Sequence, residues 1–427
     1  MVLKENKVAK GIIKLVIFLC VFFICLNIVN NITKRKDAYN KYSNFFSQKE
    51  DFDVLFFGSS HVLNGVYPMY LWKEYGIVSY NMGNVSERLP ATYYNIRLAL
   101  EQKTPKLVVV DAYLVFQNEK IDSQREKIHY TLDAYPISKT KYEAVKDLFD
   151  GENLFENEIE FLFPFSMYHS RWSDLQDDDL KNNINCEKGA DTVSGIIEPT
   201  SIPDYDNVKM FEGEETINMH YLRKIIEYCK EKKIEVLVTY LPHTAIDEHV
   251  AQSKYVKKIC DEYNVNYINF LSDKDIVNYY IDFKDSIKIN SHLNASGARK
   301  VTEYLGKYIT EYYDIPNQKN NKSYDSWNDD YNKYIDFKIK KLASHKENIN
   351  NYLILLYGEK DIKYKIELSS KMKIEKGSIL EQLLENLDNK YEINDEVLKN
   401  DEKHKDNTIK ITTWDNRNGK VIREVWF

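Results

Sequence analysis

Residues 51–61, DFDVLFFGSSH, decide the fold. Val54, Leu55, Phe56 and Phe57 are four apolar residues in a row, too few for a helix and without alternation, as in a strand covered on both faces. Gly58 breaks the run, and Ser59, Ser60 and His61 follow at once. The same signature recurs at 77–82 (IVSYNM, ended by Gly83), 106–111 (KLVVVD), 235–240 (EVLVTY, stopping before Pro242) and 265–270 (VNYINF). Between these runs lie amphipathic or helical stretches at 68–75, 91–102, 217–230, 246–263 and 295–312. Strands alternating with helices predict a parallel sheet with helices on both faces. In such sheets functional groups gather at the carboxyl ends of the strands. Gly58-Ser59-Ser60, Gly83 and the segment after Asp111 all fall there.

Around this core the chain divides. Residues 1–14 form a short basic tail, and 15–33 hold an uncharged apolar run, LVIFLCVFFICLNIVNNI. A bilayer core needs roughly 20 such residues in a helix. No small-residue cleavage site follows, so the run reads as a retained anchor. Lys4, Lys7, Lys10 and Lys14 precede it and Lys34, Arg35, Lys36 and Lys41 follow, so charge alone does not orient it. Residues 34–50 read as a linker and 51–316 as the α/β domain, with an irregular insertion at about 120–210. Residues 317–427 read as a small α+β domain. Its expected elements are a helix at 331–343, strands at 352–357 and 363–368, a helix at 379–387 and a closing hairpin turning at 415–419.

Composition excludes some classes. The net charge of −7 over 427 residues argues against nucleic-acid binding, which needs a basic face. None of the five cysteines forms a CxxC pair and no histidine spacing completes a zinc site, so neither metal nor cofactor is expected. Bulky Phe22, Phe23 and Ile24 before Cys25 do not suit lipoprotein processing.

A serine just past a strand, behind a small-residue turn, presents an exposed hydroxyl, and its own N–H can face a developing oxyanion. Serine needs a positioned base, usually histidine, supplied from elsewhere in the chain. His292, in the loop SHLNASGARKVTEYL before the last helix of the α/β domain, is the best candidate.

These blocks resemble the SGNH/GDSL hydrolase superfamily over residues 50–312. FFGSSH resembles its first block, with Ser60 at the nucleophile. YNMGN resembles the second, with Gly83 at the oxyanion glycine, and SHLNASGARKVTEYL the last, with His292 at the base. The resemblance is nearest to the membrane-anchored branch that includes D-alanyl-lipoteichoic acid transfer and polysaccharide O-acylation proteins. It implies a flavodoxin-like α/β fold and an acyl-serine mechanism. It further implies an extracytoplasmic domain on a single-pass anchor, a carbohydrate or teichoic acid polymer as acceptor, and a multi-pass membrane O-acyltransferase as partner. The chain departs from the pattern twice. The strand ending at Asp111 lacks the family's following Asn, leaving Asn84 as a candidate oxyanion donor. Ile289 stands where an Asp three residues before the base is usual, leaving Asn290 or Asp285 to orient the imidazole, or a Ser-His dyad. In the type case, loss of the orienting carboxylate costs about 10⁴ in turnover. A non-catalytic binding or assembly protein on the same fold is the competing expectation. Three further residues are candidate substrate contacts: His61 beside the nucleophile, and Arg171 with Trp172 in the insertion, where local packing is the alternative.

Overall fold

The computed structural model describes residues 2–34, 36–118, 125–149, 153–180, 185–197, 205–271, 292–387, 391–395 and 409–427. They form two compact units, residues 1–44 with 120–185, and residues 45–119 with 186–427. In chain order the elements begin with α1 (Val2–Thr33) and α2 (Lys36–Ser47). Next come β1 (Val54–Phe57), α3 (Ser60–Gly65), α4 (Pro68–Tyr75), β2 (Ser79–Asn81), α5 (Leu89–Leu100) and β3 (Leu107–Asp111). After a 3-10 turn at Tyr113–Phe116 come α6 (Arg125–Leu132), α7 (Lys139–Leu148), α8 (Leu154–Leu162) and α9 (Phe165–Tyr168), then 3-10 turns at His169–Ser173 and Asp177–Leu180. α10 (Ile217–Glu231), β4 (Glu235–Tyr240), α11 (Asp247–Glu262), β5 (Asn266–Asn269) and α12 (Ala295–Tyr312) complete the α/β layer. The chain closes with α13 (Ser326–Ser344), α14 (Ile349–Leu356), β6 (Ile362–Leu368), α15 (Ile379–Asn386), β7 (Tyr391–Ile393), β8 (Ile409–Asp415) and β9 (Lys420–Trp426).

The first sheet is all parallel, in the order β2-β1-β3-β4-β5. This is the flavodoxin-type doubly wound order, and its switch point lies between β1 and β3, where the chain turns from one side of β1 to the other. Val54 pairs with Ser79 on one flank and Leu107 on the other. Val54, Phe56, Leu107, Val109 and Leu237 face a core shared with Leu71 of α4 and with Ala298, Val301, Leu305 and Ile309 of α12. Their alternates Leu55, Phe57, Val108 and Val110 point the other way and are equally buried. Burial on both faces is why these strands read as unbroken apolar runs.

The second sheet runs β7-β6-β8-β9, with β8 antiparallel to both β6 and β9. It belongs to the same compact unit. Trp327 of α13 is fully buried against Phe52 and Trp72. Glu359 accepts from Arg299 of α12 and pairs with Lys338 at 3.3 Å, all three side chains being buried. The strand expected at 352–357 is a helix, α14. Asn348 caps it, its side chain accepting from Asn351 N–H, and the core buries it from Tyr352 to Leu356. A short apolar run buried on all sides carries no periodicity that separates strand from helix.

In the other unit, His129 of α6 bridges Asp133 and Glu160 at 2.9 Å each. Arg171 closes the end of α1: its guanidinium donates to Thr33 O (2.5 Å), Lys34 O (2.9 Å) and both carboxylate oxygens of Asp179 (2.9 Å). A cation there complements the negative end of the helix dipole. α1 contains a 27-residue stretch, Lys7–Thr33, long and apolar enough to cross a membrane.

Candidate active site

The site grows from the end of β1. Gly58 has φ +149, a conformation L side chains rarely adopt, and a Cβ on it would lie 2.8 Å from Val62 Cγ2 and 3.0 Å from Asp111 Cβ. Only glycine lets the chain turn this sharply beside β3. Ser59 then caps α3, its hydroxyl accepting from His61 N–H at 3.3 Å. Ser60 is the first residue of that helix. Its N–H meets no acceptor among the described residues, as expected for the first turn of a helix.

His292 arrives from 232 positions further along the chain, with its Nε2 2.7 Å from Ser60 Oγ. Contacts of the residues that follow it set that approach. Asn294 caps α12 by accepting from Gly297 N–H and donates to Gly195 O. Ala295 N–H donates to Val193 O. Residues 187–195 tie back to α3 in turn, because Asp191 N–H donates to Leu63 O and the Asn64 amide donates to Asp191 O. Base and nucleophile are thus held by one continuous network.

Gly83, at the end of β2, presses on the nucleophile helix. A Cβ there would lie 2.7 Å from Leu63 N, 2.8 Å from Val62 Cβ and 3.0 Å from Ser59 O. Its N–H donates to Asn81 Oδ1 (3.0 Å), while the Asn81 amide donates to Val62 O and Val66 O (2.7 and 2.8 Å). Asn81 therefore staples β2 to α3. Asn84 donates its N–H to Gly58 O and its side-chain amide to Glu87 at 2.7 Å.

His61 is buried and stacks flat on Tyr113, with ring centroids 3.7 Å apart at 15°. It lies 5.0 Å from the His292 ring and 5.4 Å from His243. Burial, then the neighbouring histidines, hold it well below the usual imidazole range, so it is neutral. His243 is neutral for the same reason, pulled down to about 3 by burial. Because Leu241 O can only accept, His243 carries its proton on Nδ1 and leaves Nε2 to accept from His249 Nδ1 at 3.2 Å. Asp111, at the end of β3, is pushed up to about 7 by burial, although Leu241 N–H, Tyr113 N–H and the Thr239 hydroxyl all donate to it. At neutral pH the site is thus lined by uncharged imidazoles and a half-protonated acid. A low-dielectric lining of this kind strengthens any dipole aimed at developing charge.

The structure gathers Ser60, His61, Gly83, Asn84 and His292 at the strand ends of the sheet. Asp285 and Asn290 lie outside the described residues. Arg171 and Trp172 belong to the other compact unit. Sequence reasoning missed Asn81, His243, His249 and the stacking role of Tyr113. The available signals were an Asn two residues before Gly83 and a His one residue past the strand-ending Pro242. Among the described residues, no group of three or more His, Cys, Asp or Glu is placed to hold a metal ion.

No family model matches the sequence, and no curated protein matches it. Solved structures do. A GDSL-like lipase from Bacteroides thetaiotaomicron shares 12% identity over 65% of this chain and 99% of its own, at a TM-score of 0.32. A candidate acylhydrolase from Bacteroides fragilis shares 11% over 65% and 98%, at 0.33. A candidate lipolytic protein of the G-D-S-L family from Desulfitobacterium hafniense shares 11% over 60% and 97%, at 0.30. Neither identity nor superposition at this level bears on mechanism.

Proposed function

We propose that the chain is a membrane-anchored serine esterase or O-acyltransferase that works through an acyl-serine on an extracytoplasmic cell-wall polymer or polysaccharide. The observation behind it is the 2.7 Å separation of Ser60 Oγ and His292 Nε2 at the switch point of the sheet. As Ser60 Oγ attacks an acyl carbonyl, His292 Nε2 takes the hydroxyl proton. The Ser60 N–H faces the resulting oxyanion. Collapse breaks the bond to the leaving alkoxide, which receives the proton from His292. A sugar or polyol hydroxyl, or water, then gives its proton to His292 and attacks the acyl-serine; collapse breaks the acyl–Oγ bond, leaves the acyl group on the acceptor oxygen and returns the proton from His292 to Ser60 Oγ. Asp285 or Asn290 orients the imidazole in this scheme, and His61 contributes to the substrate wall. The apolar length of α1 supports the anchor. For the acyltransferase reading, the family resemblance implies a multi-pass membrane O-acyltransferase as the partner that presents the acyl donor.

One observation favours a second reading, a non-catalytic binding or assembly protein. The Gly83 N–H and the Asn84 amide are both already committed, to Asn81 and Glu87. A fluorophosphonate probe separates the two readings. The catalytic reading expects covalent labelling of the full-length protein, lost in Ser60→Ala and strongly reduced in His292→Ala. A wild type that stays unlabelled, or equal labelling of Ser60→Ala, leaves only the binding reading.

A further inference from the structure

Large exposed apolar side chains are unevenly spread. Among the described residues, every largely exposed Phe and Trp lies either in α1 or in the 153–180 segment of the same compact unit. Phe155 and Ile159 lie one turn apart on α8, and Phe163, exposed like them, follows at the helix's end. Met167, Trp172 and Leu180, on α9 and the two 3-10 turns, are exposed as well. Phe155 is 74% exposed and Trp172 73%. This is not a lobe without a core, because Phe161, Phe149 and Tyr168 are buried around His129. The lobe has its own interior and a second, uncovered apolar face.

Its place on α1 says what covers that face. α9 and both 3-10 turns touch α1, and α8 touches α9. The attachment is at the helix end, where Arg171 holds Thr33 O and Lys34 O and Thr33 is buried. Before that turn, the apolar side chains from Leu15 to Val29 are exposed, apart from the partly buried Leu26. The uncharged run Leu15–Ile32, which ends at that turn, is 18 residues or about 27 Å of helix, close to the roughly 30 Å of a bilayer's hydrocarbon core. The lobe therefore begins at the level where the hydrocarbon ends, the depth at which Trp and amphipathic helices settle.

We infer that α8, α9 and the following 3-10 turns form a monotopic surface lying in the bilayer interface beside α1, with Phe155, Phe163 and Trp172 embedded among the lipid headgroups and upper acyl chains. This rests on the reading of α1 as a membrane span. The surface adds a second hold on the membrane and removes the rotational freedom a single helix would leave.

The test uses the full-length protein in phosphatidylcholine–phosphatidylglycerol vesicles carrying phosphatidylcholine brominated either near the top of the acyl chains or near their ends. The emission difference between wild type and Trp172→Phe isolates Trp172. The native Cys20 and Cys25 report on α1 in the same vesicles through maleimide alkylation. We expect about twofold quenching of the Trp172 emission by shallow bromines and much less by deep ones, for an apolar face about 5–10 Å into the interface. Cys20 and Cys25 should react only after unfolding. Shielded cysteines with an unquenched Trp172 overturn the interfacial surface and leave the anchor standing. Cysteines that react as fast in vesicles as in the unfolded chain overturn the anchor, and the surface with it.

Discussion

Asp111 offers a direct measure of how dry the candidate site is. Its carboxyl is buried, faces no cation among the described residues, and is pushed up from an ordinary 3.8 to about 7. In the unfolded chain it ionises near 3.8, so between these values the folded state holds a proton that the unfolded state has released. Stability therefore falls as pH rises through this window, the reverse of a salt-bridged carboxylate. The full effect is about 4 kcal/mol at about 1.4 kcal/mol per pH unit, of which about 2.5 kcal/mol falls between pH 5 and pH 8. Asp111→Asn removes it. The amide oxygen still accepts from Leu241 N–H, while the long 3.4 Å contact with Tyr113 N–H is lost, a pH-independent cost of about 1 kcal/mol. Buried neutral His61, His243 and His249 also titrate with pH, but equally in both proteins, so the difference between them isolates Asp111. The assay is urea unfolding followed by the fluorescence of Trp72 and Trp327, both buried in this unit. The mutant should gain on wild type by about 2.5 kcal/mol from pH 5 to pH 8. A difference that is flat with pH would refute the reasoning, since it would mean that water or an unseen cation solvates the carboxylate.

Gly83→Ala places a methyl group against backbone of the nucleophile helix. It should lower stability by about 1–3 kcal/mol and cut fluorophosphonate labelling by displacing Ser60, as read by thermal unfolding and labelling rate. Glu359→Gln strands the buried charges of Arg299 and Lys338. A loss of about 3–5 kcal/mol is expected, measured by urea unfolding, and a neutral result would show that the trio is solvated. Burial pulls His129 down, but hydrogen bonds to and the charges of Asp133 and Glu160 outweigh it and raise its pKa. Its folded value thus exceeds the unfolded one, so its contribution is complete below about pH 6.5 and is lost as pH rises through the folded value. Hydrogen exchange in α6, corrected for intrinsic rate, should show protection falling over that range in wild type and not in His129→Gln.

Much of this was legible in the sequence because it depends on short-range pattern. A strand covered on both faces must be apolar at every position, so VLFF, LVVVD and EVLVTY announce a parallel sheet without any partner in view. A membrane-length run declares itself by the absence of charge, and a serine behind a glycine turn marks a strand end. The helix at Ile349–Leu356 was not legible, since burial on all sides erases the periodicity that separates helix from strand. Nor was the environment of the site. His61, Tyr113, His243 and His249 meet because β1, β3 and β4 bring three distant segments to one end of the sheet. The burial that neutralises them is a property of that packing, not of any residue alone. Arg171 carries the same lesson. Beside Trp172 it suggests recognition of a polymer, yet its guanidinium closes the end of a helix 138 positions earlier in the chain. Sequence alone determined which residues have the chemistry, because reactivity belongs to the side chain. Tertiary structure decided their charge, their committed hydrogen bonds and the faces they leave uncovered, because those depend on neighbours that only folding supplies.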